Sequence, residues 1–278
     1  MCALKTSKGY IKDSMKVLFI SQEISPYLPE TELSVISRHL PQAIQEKGKE
    51  IRTFMPKYGC INERRNQLHE VLRLSGMNLI INDTDHPLTI KVASIQSARM
   101  QVYFIDNEDF FGRKQIFCDD SGQVFPDNDE RTIFFARGVL ETVRKLRWAP
   151  DIIHCQGWFT GLIPIYVKKA FREDPLLSGA KVVYSVQDDI FSGNMDKSFR
   201  NKLLLPGISK KDVEILATPN HENLTRLAIK WSDALVQSVP EIPETLKELV
   251  KESGKPFLPF QGSPDYASAY SDFYDNLF

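Results

Sequence analysis

The sequence lacks the cysteine spacing of a metal site or a disulfide framework. Its four cysteines, Cys2, Cys60, Cys118 and Cys155, are scattered and form no Cys-x-x-Cys pair. Structural zinc sites and disulfide-rich domains need cysteines at short, paired spacings. We therefore expect no metal and no other cofactor, and we expect free thiols in a reducing compartment, the cytoplasm.

Long apolar runs are also missing. No stretch approaches the roughly 20 residues that a helix needs to cross a bilayer. The first 14 residues contain three lysines and no apolar segment of the kind found in a secretory signal. The sequence predicts a loose segment over residues 1–14, no membrane contact and a cytoplasmic location.

An excess of charge of one sign is absent as well. The 35 Lys and Arg residues nearly balance the 36 Asp and Glu residues, and the formal net charge is -1. Apart from the pair Arg64 and Arg65, we find no cluster of basic residues. Nucleic acids bind surfaces that are dense in Lys and Arg, so this class of partner is excluded.

What the sequence does contain is strand-length apolar runs that alternate with helical periodicity. With 278 residues and 42% hydrophobic content, the chain is long enough for a sizeable core. The pattern predicts an α/β fold, a doubly wound and mostly parallel sheet of Rossmann-like type. Short β-like runs between positions 67 and 92 predict a β-hairpin insertion. The runs predicted as parallel strands are Val17–Ile20, Glu50–Met55, Val102–Ile105, Ile152–Ile153, Lys181–Gln187 and Ala234–Val239.

The predicted domain covers residues 15–255, and a tail follows over residues 256–278. Within the tail, aromatic side chains recur at helical spacing and predict a helix that packs back on the domain. They are Tyr266, Tyr270, Phe273 and Tyr274.

Polar residues follow several predicted strands at the sheet edge where doubly wound folds bind ligands. Val17–Ile20 leads into a loop with Glu23 and Tyr27, and Thr31 is placed to cap the next helix. The strand at Ile152 ends in His154-Cys-Gln156-Gly-Trp158, and the strand at Lys181 ends in Gln187-Asp188. Since adjacent residues of an extended chain point apart, Asp188 and Asp189 predict no metal site.

A long acidic and aromatic loop precedes the sequence Asp127-Asn128-x-x-Arg131, which opens a predicted helix. Two interpretations of Asp127 remain open. It is a helix cap that the helix dipole stabilises, or it is both a cap and a ligand-binding carboxylate.

Taken together, these motifs resemble glycosyltransferase family five, the bacterial glycogen synthases and plant starch synthases. The resemblance covers roughly Met15 to Val239 and implies the N-terminal half of a two-domain GT-B enzyme. It assigns no catalytic residue and implies ten ligand-binding positions: Glu23, Tyr27, Asp127, Asn128, Arg131, His154, Gln156, Trp158, Gln187 and Asp188.

The chain departs from the family pattern where the family binds its sugar nucleotide. Pro29-Glu30-Thr31-Glu32 stands where the family has Lys-Thr-Gly-Gly, and Val35 replaces an aspartate. Carboxylates at this loop repel a diphosphate, and proline removes an amide donor. Gln156 replaces the histidine that the family places against the transferred glucose. Glutamine neither carries charge nor exchanges a proton as imidazole does. Gly157 similarly replaces an aspartate.

These residues leave three functional hypotheses. The one we favour is a glucan-binding or regulatory protein of glycogen metabolism, which binds an α-1,4-glucan or maltooligosaccharide but not ADP-glucose. The second is a glucosyltransferase component that moves glucose from ADP-glucose to an α-1,4-glucan with retention. It would need a partner chain to supply the second domain. The third is an unrelated reaction performed by the altered residues.

Overall fold

The computed structural model describes residues 14–278, so nearly all of the predicted loose segment lies outside the described residues. Within that range we number the strands β1 to β10 and the helices α1 to α8. The strands are β1 (Lys16–Ser21), β2 (Glu50–Pro56), β3 (His69–Glu70), β4 (Met77–Ile81), β5 (Thr84–Ile95), β6 (Met100–Asp106), β7 (Ile152–Gln156), β8 (Lys181–Val186), β9 (Ala234–Gln237) and β10 (Phe257–Leu258). The helices are α1 (Glu32–Glu46), α2 (Glu108–Phe111), α3 (Asn128–Leu146), α4 (Ile163–Ile165), α5 (Phe199–Lys202), α6 (His221–Trp231), α7 (Glu244–Ser253) and α8 (Tyr266–Asp275).

The main sheet has the order β10-β9-β8-β7-β1-β2-β6-β5-β3, and its core strands run parallel. From β1 the chain builds outward to β2 and then β6, and it later returns to the other side of β1 with β7. The switch in strand order therefore lies between β1 and β7. The predicted α/β fold with a doubly wound, mostly parallel sheet is confirmed.

The predicted β-hairpin insertion is also confirmed. β4 and β5 form an antiparallel hairpin from Met77↔Leu88 to Ile81↔Thr84. β5 continues as the antiparallel neighbour of β6, which joins the insertion to the main sheet. The stretch Val71–Leu74, also predicted to be β-like, is instead a turn that follows the short strand β3.

Two apolar layers enclose the sheet. On one face, Val17 and Phe19 pack with side chains of α1 and α8. On the other face, α3 and α6 cover a larger core that contains Leu18, Ile20 and Phe54. Because both faces are covered, the central strands are largely apolar. No helix within residues 14–278 combines the length and apolar character needed to span a bilayer.

Helix α8 is fastened to the sheet through a buried histidine. His154, on β7, is fully buried, with its Nδ1 2.6 Å from the hydroxyl of Tyr274 and its Nε2 2.7 Å from the hydroxyl of Ser185. A neutral imidazole donates at one nitrogen and accepts at the other, so both nitrogens are satisfied. Burial lowers the pKa of His154 to about 3, and the ring is therefore neutral near pH 7.

Removing the Tyr274 hydroxyl should destabilise the fold. In Tyr274→Phe, a buried nitrogen of His154 loses its partner, which costs about 1–3 kcal/mol of unfolding free energy. Urea denaturation measures this change. Tyr266→Phe, which removes a half-buried hydroxyl of the same helix, is the matched control and should change stability by less than about 0.5 kcal/mol. Equal effects of the two variants would show that the bond to His154 contributes nothing.

Stability should also fall with acid because of His154. Its pKa of about 3 in the folded chain lies below the ordinary histidine value of 6.5, which applies in the unfolded chain. Between these values the unfolded chain binds the extra proton, so the stabilisation present above pH 6.5 is lost as the pH falls. From pH 6 to pH 4, unfolding free energy should fall more steeply than in His154→Gln, by about 1.4 kcal/mol per pH unit. Denaturation curves with parallel pH dependence in the two proteins would contradict this.

Candidate functional site

The loop between β1 and α1 reaches the sheet edge and closes the N-terminus of α1 with its own side chains. Thr31 is the N-cap, as predicted, and its hydroxyl accepts the Ser34 amide at 3.0 Å. The Ser34 hydroxyl in turn lies 2.8 Å from the Thr31 amide and accepts its hydrogen bond. This capping box occupies amide donors that a helix N-terminus otherwise offers to an anion. Glu30 and Glu32 flank it and are both exposed.

Two predicted site residues lie in this loop, and they differ in exposure. Glu23 is half-buried at the edge and accepts a hydrogen bond from the Thr31 hydroxyl at 2.9 Å. Burial raises the pKa of its carboxyl above the usual value, and nearby Asp189 adds to the rise. Tyr27 is packed edge-on against Phe104, with ring centroids 4.9 Å apart, and burial raises its pKa to about 12. Glu23 therefore borders the edge, whereas Tyr27 belongs to the core.

The switch point between β1 and β7 is closed by buried polar side chains. The Ser21 hydroxyl donates to Oε1 of Gln156 at 2.8 Å, and both residues are fully buried. Next to them, Oε1 of Gln22 accepts the Phe159 amide at 3.0 Å. Gly157 has a φ of +91°, and a Cβ added there would lie 2.4 Å from the Gln22 side chain. Glycine is therefore required where the family pattern has aspartate.

Gln156 consequently joins two strands rather than facing an open cleft. Its Nε2 is shielded from solvent and has no hydrogen-bond partner within residues 14–278. A buried donor without a partner costs free energy, and it is available to a water or hydroxyl that reaches it. Glutamine offers no group for proton transfer near pH 7.

Asp127, the acidic residue at the start of α3, is held by an arginine. Oδ1 and Oδ2 of Asp127 lie 2.7 and 2.6 Å from Nη1 and Nη2 of Arg113, a bidentate ion pair. Asp127 occupies the N-cap position of α3, as both interpretations expect, but its side chain makes no capping hydrogen bond. Both oxygens are already engaged, so a ligand would have to share them with Arg113 or displace it.

Asn128 and Arg131 lie beneath this pair and anchor the long loop. Arg131 is fully buried, and its Nε donates to the carbonyl of Phe110 at 2.7 Å. Asn128 donates to the carbonyl of Phe117 at 2.9 Å. Burial lowers the pKa of Arg131 to about 10, so the guanidinium stays charged at neutral pH. Both side chains stabilise the loop and are closed to solvent.

Trp158 packs inside an aromatic cluster at the same edge. Its ring lies 4.6 Å from that of Phe191 and 4.9 Å from that of Phe117, between centroids, and its amide donates to Oδ2 of Asp189 at 2.5 Å. The other oxygen of Asp189 lies 3.7 Å from Nε2 of His221. Trp158 is thus a buried support, and the partly exposed ring at this place belongs to Phe191.

The three remaining predicted residues occupy different surroundings. His154 lies in the packing of α8 against the sheet. Gln187 is buried and accepts a hydrogen bond from the Ser238 hydroxyl at 2.8 Å. Asp188 is exposed, while its neighbour Asp189 is half-buried. The structure thus leaves three of the ten predicted side chains at least partly exposed: Glu23 and Asp188, which follow strands, and Asp127 at the start of α3.

The chemistry of this edge is that of hydrogen-bond acceptors and aromatic faces. No group of three or more His, Cys, Asp or Glu side chains within residues 14–278 is arranged to hold a metal ion. His154 is too deeply buried to reach a ligand, so the accessible ionisable groups here are carboxyls and the Arg113 guanidinium that is paired with Asp127. Carboxylates accept hydrogen bonds from hydroxyls and repel phosphate.

Sequence reasoning missed two contributors to this edge. Arg113 controls Asp127, and the only sequence signal was a basic residue within an acidic, aromatic loop. Phe191 borders the edge in place of Trp158. It follows a strand by five residues, and no periodicity marked it as exposed.

The chain matches the family model described as "Starch synthase catalytic domain" over residues 16–253. A glycogen synthase of Chlorobium limicola is 39% identical over 197 residues, which cover 70% of this chain and 40% of that protein. A glycogen synthase of Chlorobaculum tepidum is 35% identical over 253 residues, covering 88% of this chain and 52% of that protein. The chain thus spans about half the length of the curated relatives it matches.

The structural comparison gives the same fold. The catalytic domain of starch synthase IV from Arabidopsis thaliana, bound to ADP and acarbose, aligns with a TM-score of 0.74 and 20% identity. The alignment covers 92% of this chain and 53% of that one. The resemblance inferred from the motifs is confirmed, and the chain belongs to the glycogen and starch synthase family, glycosyltransferase family five.

Proposed function

We propose that this chain binds an α-1,4-glucan or maltooligosaccharide at the carboxyl edge of its sheet and does not by itself bind ADP-glucose. In this role it acts in glycogen metabolism as a glucan-binding or regulatory protein. The observation that carries the proposal is the capped N-terminus of α1. Thr31 and Ser34 occupy each other's amides, and Glu30 and Glu32 stand beside them.

The capping box opposes phosphate binding in two ways. A phosphate at a helix N-terminus needs free amide donors and a favourable potential. Here the side chains of Thr31 and Ser34 already accept two of the donors, and two exposed carboxylates add negative charge. A diphosphate would have to break the capping box and approach like charge.

The same edge suits a neutral sugar. Glu23 and Asp188 present acceptors for sugar hydroxyls, and Phe191, three residues after Asp188, presents part of an aromatic ring. Such a mixture of apolar surface and a few polar groups is typical of small-molecule sites. The structural neighbour holds acarbose as well as ADP, which supports a saccharide as the ligand class here.

A second candidate is a glucosyltransferase component, and the comparisons favour it. The chain covers about half of each relative, so the remaining half would supply the other wall of a cleft. In that case a partner chain supplies the second domain, and ADP-glucose binds only to the assembly.

We also propose a cytoplasmic location. Cys60, Cys118 and Cys155 are free thiols in the structure, and Cys60 is exposed. An exposed thiol persists in a reducing compartment.

Titration calorimetry with two ligands tests the proposal. Maltoheptaose should bind the 278-residue chain with a dissociation constant of about 1 mM or tighter, and ADP-glucose should give no heat at the same concentration. ADP-glucose binding by the chain alone would overturn the proposal. If neither ligand binds until a second-domain partner is added, the second candidate is supported instead.

Truncating the exposed aromatic ring should weaken glucan binding. Phe191→Ala should raise the dissociation constant for maltoheptaose by about 5- to 10-fold because the sugar loses an aromatic face. The matched control is Phe278→Ala, which removes an exposed ring near Met15 and Asp151, at the amino edge. If both variants lose the same affinity for maltoheptaose, or if neither loses any, Phe191 does not belong to the site.

A further inference from the structure

A polar cavity lies at the opposite edge of the sheet. It has a volume of about 390 Å³ and is formed where β5 ends and where β2 and β6 begin. We propose that this cavity binds a tetrahedral dianion, inorganic phosphate or a small phosphomonoester, and that Arg52 is its principal ligand.

Arg52 is held in place by two aromatic rings. Its guanidinium carbon lies 5.1 Å from the ring centroid of Trp148 and 5.8 Å from that of Tyr103. Its Nη1 also donates to the Tyr103 hydroxyl at 2.7 Å. These contacts restrict the side chain and place a planar cation in a fixed orientation. A fixed guanidinium loses little conformational entropy when it binds an oxyanion.

Arg52 and Tyr103 retain hydrogen-bond donors beyond the bond that joins them. The Nε–H of Arg52 is shielded from solvent and has no acceptor within residues 14–278. Since the Tyr103 hydroxyl accepts from Arg52, its own hydrogen remains available to donate. A buried donor without a partner costs free energy, and an acceptor in the cavity would recover it. Both residues line the cavity.

The remaining lining residues are consistent with an anion. Arg99, exposed at the mouth, adds a second cation, and the rest contribute amides, one hydroxyl and apolar surface. Among the described residues that line the cavity, none is Asp or Glu. The nearby carboxylate of Glu50 accepts the indole N–H of Trp148 at 2.6 Å and so supports the ring that holds Arg52. Besides the two arginines, the lining residues are Gln45, Ile51, Ser94, Ile95, Gln96, Met100, Gln101 and Tyr103.

This cavity is separate from the glucan site. Arg52 lies near the start of β2, whereas Ser21 and Gln156 end their strands at the other edge. The proposed anion site therefore does not rest on the proposed function, and each can fail alone. The volume falls within the range of small-molecule pockets and accommodates a phosphate with a small organic substituent.

Calorimetry with inorganic phosphate and with glycerol 2-phosphate tests the assignment, with glycerol as the uncharged control. Both anions should bind the chain, glycerol should not, and sulfate should compete because it has the same shape and charge. Arg52→Gln should weaken phosphate binding by about tenfold or more, and Arg99→Gln by about threefold. Tighter binding of glycerol 2-phosphate would identify a phosphomonoester as the better ligand, and tighter binding of phosphate would favour the free ion.

Arg64→Gln provides the matched control, because it removes an exposed arginine outside the cavity lining and should change affinity less than twofold. Should Arg52→Gln fail to fold, Arg99→Gln decides alone, since its side chain is exposed. Equal affinities in the Arg99→Gln and Arg64→Gln proteins would overturn the proposal. So would the absence of phosphate binding to the unaltered chain.

Discussion

The hydrogen bond between Ser21 and Gln156 joins β1 and β7, the neighbouring strands between which the strand order switches. The rest of the carboxyl edge of the sheet is built around it. Its two side chains are fully buried, so the ends of β1 and β7 are closed by polar atoms rather than open to a ligand. Gln22 and Gly157 complete this closure, because the Gln22 side chain fills the space that a side chain at Gly157 would need. A ligand at this edge therefore meets the flanking loops rather than the strand ends themselves.

The flanking loops determine the charge and the hydrogen-bonding groups of the site. On one side the capping box of Thr31 and Ser34 satisfies the start of α1 without an external anion. On the other, Arg113 neutralises Asp127, and the buried cation of Arg131 anchors the loop backbone. The cations near this edge are thus committed to internal contacts, while Glu23 and Asp188 stay accessible. This distribution of charge is the electrostatic basis of our proposal that the ligand is a neutral saccharide and not a nucleotide diphosphate.

Most of the fold followed from periodicity, because buried parallel strands and amphipathic helices have strong local patterns. The Thr31 cap could also be predicted, since capping is a contact between residues close in the sequence. The pairings Arg113–Asp127, Gln22–Phe159 and His154–Tyr274 were not, because they join residues 14, 137 and 120 positions apart. Arg131 and Trp158 match the family motif by residue type, but the sequence could not show that they are buried, because burial depends on tertiary packing. The cavity at Arg52 likewise became visible only once three strands were placed side by side.

We infer that the composition of the β1–α1 loop, and not the sheet beneath it, keeps ADP-glucose from binding. Calorimetry with ADP-glucose on the quadruple variant Pro29→Lys, Glu30→Thr, Thr31→Gly, Glu32→Gly tests this most directly, because the variant restores the lysine and glycines and removes both carboxylates. ADP-glucose should bind this variant at least about tenfold more tightly than it binds the unaltered chain, and circular dichroism should show an unchanged fold. A folded variant whose affinity for ADP-glucose is no higher than that of the unaltered chain would contradict it.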